Sequence, residues 1–318
     1  MSGRPRHPAA RRVEVAAHAK LNLTLAVGPL RADGFHELAS VFQSISLADT
    51  LEAERTSRGF ALVLRHGEAA VRGARSHRAH AVVPAGPQNL VLRAARLVHE
   101  RLGLKGGVRF RLTKRIPAEA GMGGGSADAA AAIVASLALH DVRLSLADRL
   151  ALGLELGSDV PFALVGGTAL GLGRGERLER LHLATPFRAI VAMPAWRVST
   201  PDAFRRIDRR KYGLTPWTRE HRFLSTLGRQ GLRVAKVVAR GNTFEEVLGP
   251  RRQEFETLCA RLRAAGLPEP RLTGSGSAVF GLVPDGLRTQ ELVDRFIGDE
   301  PLYAVRSRAT GLRLQRQS

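Results

Sequence analysis

The stretch Pro117-Ala-Glu-Ala-Gly-Met-Gly-Gly-Gly-Ser-Ala-Asp-Ala-Ala-Ala131 constrains this chain more than any other. Before it, Gly107 to Lys114 alternates Val108, Phe110 and Leu112 with Arg109, Arg111 and Thr113, the two-residue period of a half-buried strand. After it, Ala130, Ile133, Val134 and Leu137 recur at helical spacing, with Ser126 placed to cap and Asp128 suited to the positive helix end. The order is therefore strand, glycine loop, helix N-terminus. Glycines at 121, 123, 124 and 125 remove side chains where backbone must approach a ligand. The helix start adds unpaired N–H groups and a partial positive charge, which together suit phosphate. The competing reading is a glycine-rich turn that holds no ligand. A Walker loop needs Lys and then Ser or Thr after its last glycine, whereas Gly125 is followed by Ser126-Ala127. A dinucleotide fingerprint needs glycine where Ser126 stands, so it is excluded too.

Charge narrows the ligand class. Lys and Arg outnumber Asp and Glu by 49 to 29, a net charge of +20. Such a field first suggests nucleic acid. The arginines are scattered, however, and aromatics make up only 5% of the chain, too few for an obvious base-stacking platform. The field still favours anionic substrates. The single cysteine, Cys259, excludes an internal disulfide and a Cys-based metal cluster. No apolar run reaches the about eighteen residues of a membrane helix, and residues 1–12 read as a disordered basic leader without the apolar segment of a secretory signal. A cytoplasmic protein is expected.

From Val13 to Val27 the alternation is long, with Val13, Val15, Ala17, Ala19, Leu21, Leu23 and Leu25 on one face and Glu14, His18, Lys20, Asn22 and Thr24 on the other. This is a strand whose polar side is either solvated or functional. Val41 to Ala53 reads as a strand-pair region, and residues 55–86 show no sustained period. Gln88 to His99 is an amphipathic helix that Asn89 is placed to cap. Ser145 to Leu156 is a helix stopped by Gly157, and Ser158 or Asp159 is placed to cap a short helix after it. Leu164 to Gly173 then reads as a strand. Arg188 to Met193 and Ala278 to Val283 read as strands of a second unit, the latter following the glycine turn Thr273-Gly-Ser-Gly-Ser277. That turn lacks the spacing of a hydrolase elbow.

The loop resembles the nucleotide loop of the GHMP small-molecule kinases, which wraps the phosphates of ATP. Ala19-Lys-Leu-Asn-Leu-Thr-Leu25, Arg31-Ala-Asp-Gly-Phe-His-Glu-Leu38, Gly157-Ser-Asp-Val-Pro-Phe162, Asn242-Thr-Phe-Glu245 and Leu272-Thr-Gly-Ser-Gly-Ser-Ala-Val-Phe280 follow in that family's order over most of the chain. The resemblance is strongest to the branch that phosphorylates the tertiary alcohol of a cytidine diphosphate-linked substrate in isoprenoid precursor synthesis. It implies an α+β, two-lobed GHMP kinase fold with the active site between lobes: an N-terminal lobe over 13–180 and a C-terminal lobe over 181–318.

The same resemblance assigns residues. Lys20 falls on the active-site lysine and Asp159 on the candidate general base, which reverses the preference for Asp159 as a cap. Pro117, Gly121, Met122, Gly123, Gly124, Gly125 and Ser126 would hold ATP, with Asn89 beside the adenine, although capping alone explains Asn89. Asn22, Phe35, His36, Phe204, Gly274 and Ser275 would meet the substrate. Phe35 offers a stacking face, without the hydroxyl of the tyrosine common there, and His36 a hydrogen-bonding edge. Core packing explains Phe204 equally well. Mg²⁺ is implied with ATP, Ser126 being a possible ligand. Two alternatives remain: a homoserine or mevalonate type of GHMP kinase, against which Phe35 and His36 speak, and a non-catalytic basic RNA-associated protein.

Overall fold

The long alternation at the N-terminus forms strand β1, Arg12–Leu30, which turns through residues 31–35 into the antiparallel strand β2, His36–Thr56. The computed structural model describes residues 11–72, 83–210, 214–224, 226 and 231–317. Residues 1–10 of the expected leader thus lie outside the described residues, and Arg12 belongs to strand β1, pairing with Gln317 and Glu54. The region expected as a strand pair at 41–53 is part of this one long strand. Its two halves serve different neighbours: residues 50–56 pair with β4, Gly107–Lys114, and residues 38–43 with β5, Thr168–Gly173. Strand β3, Phe60–His66, lies parallel to β4 within the stretch where no period was apparent, and β6, Arg177–Leu181, pairs with β5.

Helices α1, Leu90–Leu102, and α2, Gly124–Leu139, cover this sheet, with α3, Leu146–Leu156, and α4, Val160–Val165, beside them. Alanine is what permits the fit: Ala129 to Ala132 are fully buried against a cluster that includes Val15, Leu51, Phe110 and Leu112. Short side chains let α2 lie close to the strands, so its N-terminus is held rigidly over their ends. The strand expected over Leu164 to Gly173 begins only at Thr168, because α4 runs to Val165 and Gly166 and Gly167 turn the chain at φ 61° and 75°.

The second sheet has the order β10-β7-β9-β8, with β7 Arg188–Ala192, β8 Arg271–Leu272, β9 Val279–Leu282 and β10 Leu302–Arg306. Around it lie α5 Thr200–Arg210, α6 Leu214–Leu224, α7 Val234–Val238, α8 Arg252–Ala264 and α9 Thr289–Arg295. The chain does not divide cleanly by sequence. The last strand, β11 Leu312–Gln317, returns to the first sheet and pairs with residues 12–17 of β1. There it covers an edge that would otherwise expose unpaired backbone groups. None of the helices among the described residues is long and apolar enough to cross a membrane.

Candidate active site

The glycine loop is clamped from both sheets. Lys20 N donates to Met122 O at 3.0 Å, and Ala278 N donates to Ala120 O at 3.2 Å. Gly121 has φ 76°, and a Cβ there would stand 2.1 Å from Thr273 O, so no other residue fits without moving the second glycine turn. Helix α2 starts at Gly124, not near Ser126: Gly123 at φ 68° is the N-cap and supplies no side-chain bond. A left-handed glycine ends the loop before the serine is reached, which places Ser126 in the first helical turn. Pro117, Gly121 to Ser126 and Asn89 line a cavity of about 390 Å³ at this helix start. Met122 is 1% exposed, so its side chain is packed into the core. Asn89 caps α1, accepting from Val91 N at 2.9 Å and donating to Pro84 O at 2.7 Å.

Beside the loop, the polar side of β1 is buried rather than solvated. Lys20 Nζ stands 3.6 Å from Asp159 Oδ2, 2.5 Å from Asn22 Oδ1 and 5.3 Å from the centre of the Phe42 ring. Asp159 occupies the N-cap position of α4, yet its carboxylate makes no capping bond and stays 37% exposed. It is therefore free to face a ligand. Asn22 is fixed on every side: Nδ2 donates to Ser40 Oγ at 2.7 Å, Ser40 Oγ donates to Thr24 O at 2.7 Å, and Asn22 N donates to Thr273 Oγ1 at 2.9 Å. This chain turns the amide oxygen toward Lys20. Ser40 and Thr273 carry that role without any local sequence signal, since both act across strands.

Behind the loop lies a second charged group that periodicity did not reveal as a unit. Lys114, at the end of β4, donates to Asp128 Oδ2 at 2.6 Å and to Asp49. Asp49 Oδ1 in turn accepts from Ile116 N at 2.9 Å. Asp128, in the first turns of α2, is buried, at 3% exposed. Burial, with the Asp49 charge adding to it and Lys114 opposing it, pushes the Asp128 carboxyl up to about 8. Burial disfavours the Lys114 ammonium, but the two carboxylates outweigh that and raise its pKa. Two carboxylates thus share one ammonium and, near neutrality, one proton, which leaves no net charge beneath the glycine loop.

Away from the loop, the tip of the β1–β2 turn and α5 carry an aromatic group. His36 Nδ1 stands 2.8 Å from Gly28 O, and Phe204 stacks on the imidazole at 5.4 Å between centroids and 21° between planes. Phe204 also meets Phe244 edge-on at 5.0 Å, so it serves packing and surface together. Phe35 is half exposed, with the Arg174 guanidinium 4.6 Å above its ring. Phe35 and His36 have different neighbours at the tip of the β1–β2 turn. Gly274 and Ser275 lie in the second glycine turn: Gly274 O accepts from Asn242 Nδ2 at 2.8 Å, and Ser275 Oγ is 2.6 Å from Thr200 Oγ1.

A two-sheet α+β fold, with a glycine loop at a helix start and a Lys–Asp pair beside it, defines the GHMP kinase class, ATP-dependent enzymes acting on small molecules. Residues 89–167 match the profile of the GHMP kinases N terminal domain. A 4-diphosphocytidyl-2-C-methyl-D-erythritol kinase of Pelotomaculum thermopropionicum is 38% identical over 296 residues, 93% of this chain and 98% of that protein. A crystal structure of 4-(cytidine 5'-diphospho)-2C-methyl-D-erythritol kinase superposes with a TM-score of 0.72 at 35% identity, covering 92% of this chain and 98% of that one. Homoserine kinase from Cytophaga hutchinsonii shares the fold at a TM-score of 0.68 but only 18% identity, covering 98% of this chain and all of that one. The chain belongs to the 4-diphosphocytidyl-2-C-methyl-D-erythritol kinase family, within the GHMP kinases.

Proposed function

We propose that this chain transfers the γ-phosphoryl group of ATP to the tertiary hydroxyl of 4-diphosphocytidyl-2-C-methyl-D-erythritol, releasing ADP and the 2-phosphate in non-mevalonate isoprenoid precursor synthesis. The observation that carries the chemistry is the Lys20–Asp159 pair at 3.6 Å, on a strand hydrogen-bonded to the glycine loop. Phosphoryl transfer needs positioned phosphates, charge neutralisation and a correctly aimed hydroxyl. Backbone N–H groups at the start of α2 hold the ATP phosphates. Asp159 accepts the hydroxyl proton, and the Lys20 ammonium keeps that carboxylate ionised and stabilises charge on the transferring group. Asn22 holds the ammonium in place.

Ser126 lines the loop cavity, and its hydroxyl is a hard oxygen donor that fits a magnesium ion. Held there with ATP, Mg²⁺ would supply charge neutralisation for the transferring phosphoryl group. At the far end, Phe35, His36 and Phe204 receive the cytosine, and Gly274 and Ser275 lie toward the substrate phosphates. The two lobes, 13–180 and 181–318 apart from the returning β11, enclose this cleft.

ADP release by purified protein with ATP, Mg²⁺ and, in turn, the cytidyl compound, mevalonate and homoserine tests the reading. Turnover is expected with the cytidyl compound alone. Turnover of homoserine or mevalonate instead would overturn the substrate assignment and leave the nucleotide loop standing.

A further inference from the structure

Resting on the function proposed above, we infer that Asp208 is a specificity-determining residue that accepts a hydrogen bond from the 4-amino group of the substrate cytosine, beside His36. The imidazole is 8% exposed and its tautomer is set by geometry: Gly28 O can only accept, so the Nδ1 that it meets at 2.8 Å carries hydrogen. Nε2 is buried and has no hydrogen-bond partner. Asp208 Oδ1 stands 3.0 Å from that nitrogen without forming a hydrogen bond to it, and the exposed part of the carboxylate keeps its acceptor capacity for a ligand.

Helix α5 delivers the ring and the carboxylate together. Phe204 and Asp208 are four residues apart and share one helix face, so the residue stacked on His36 and the residue at its Nε2 edge move as one. The helix is pinned from behind, with Ala203 and Ile207 buried and Arg206 Nη1 donating to Leu248 O at 2.8 Å. Asp208 itself keeps 48% of its side chain exposed. It does not fill the core.

The chemistry follows from what a carboxylate can do. It only accepts, and with full charge it accepts strongly. Cytosine presents an amino donor at C4, where uracil presents a carbonyl acceptor. The same carboxylate therefore binds one base and repels the other. The phosphate end cannot make this distinction, because both nucleotides carry the same diphosphate.

The test measures kcat/KM for the cytidyl substrate and for its uridyl analogue, with ATP and Mg²⁺, in wild type, Asp208→Asn and Asp208→Ala. Wild type is expected to favour the cytidyl compound by about 10- to 100-fold, the range of a charge-assisted hydrogen bond against an unpaired or repelled group. Asp208→Asn, whose amide can also donate, is expected to cut that ratio by about tenfold, and Asp208→Ala to raise KM for the cytidyl compound about tenfold with KM for ATP unchanged. A residue that merely braced α5 would move KM for both compounds and leave their ratio alone. An unchanged ratio in Asp208→Asn overturns the assignment; so does equal use of both compounds by wild type, which needs no variant. Absence of wild-type turnover with the cytidyl compound overturns the proposed function itself, and the role of Asp208 with it.

Discussion

The two ends of the proposed site are built in different ways. The end proposed to hold phosphate is mostly one continuous stretch, strand β4, the glycine loop and α2, buried and clamped by backbone bonds from both sheets. The base end is assembled from the tip of the β1–β2 turn and from α5, far apart in sequence, with Phe35 and Asp208 open to solvent. Phosphate is recognised by N–H groups and a helix end, which local backbone supplies. A base is recognised by ring faces and a donor–acceptor edge, which side chains from separate elements must converge to make. Changes at the first end should therefore cost catalysis or folding, and changes at the second should cost substrate affinity alone.

The largest effect is expected at the Lys–Asp pair. Asp159→Asn and Lys20→Ala should each lower kcat about 10²- to 10⁴-fold while the denaturation midpoint stays near wild type, as read by ADP release and urea unfolding. Near-normal turnover in either variant would remove the pair from the chemistry. Next comes Gly121→Ala, whose new Cβ meets Thr273 O at 2.1 Å from a left-handed backbone. A loss of about 1–3 kcal/mol of stability together with weaker ATP binding is expected, and an unperturbed unfolding curve would mean that the two glycine turns do not interlock.

At the base end, Phe204→Ala should raise KM for the cytidyl substrate several-fold to about tenfold, as the loss of one ring stack implies, with kcat and KM for ATP little changed. A fall in kcat of the same size would erase the division between the ends. The smallest effect concerns the proton shared below the loop. The Asp128 carboxyl titrates near 8 in the fold and near 3.8 when unfolded, so its stabilisation is complete below the unfolded value and is lost as pH rises through 8. Between pH 7 and 9 this loss is on the order of 1 kcal/mol. Asp128→Asn should flatten that stretch of the stability–pH curve; a curve as steep as wild type would put the proton elsewhere.

Legibility follows the same division. Gly107–Lys114 is a strand over the stretch its alternation indicated, and Ser145 caps α3 through Asp148 N at 3.1 Å. Local rules suffice where hydrogen bonds and turns close within a few residues. They fail at Ser126, where a left-handed glycine starts the helix early, and at Thr168, where two glycines delay a strand. They also fail for β3, whose Phe60, Leu62 and Leu64 alternate over too short a run to stand out.

By itself the sequence determined the glycine loop before a helix, the strand that carries Lys20 and the order of motifs, because each is written in glycine positions, short-range periodicity and neighbouring residues. Tertiary structure alone decided that Lys20 meets Asp159, that Asn22 is oriented through Ser40, that Asp49 and Asp128 share Lys114, and that Asp208 stands at the Nε2 edge of His36. Each of those contacts joins elements distant along the chain. Which side chains come within hydrogen-bonding reach there depends on how sheet and helices pack, and no local pattern encodes that packing.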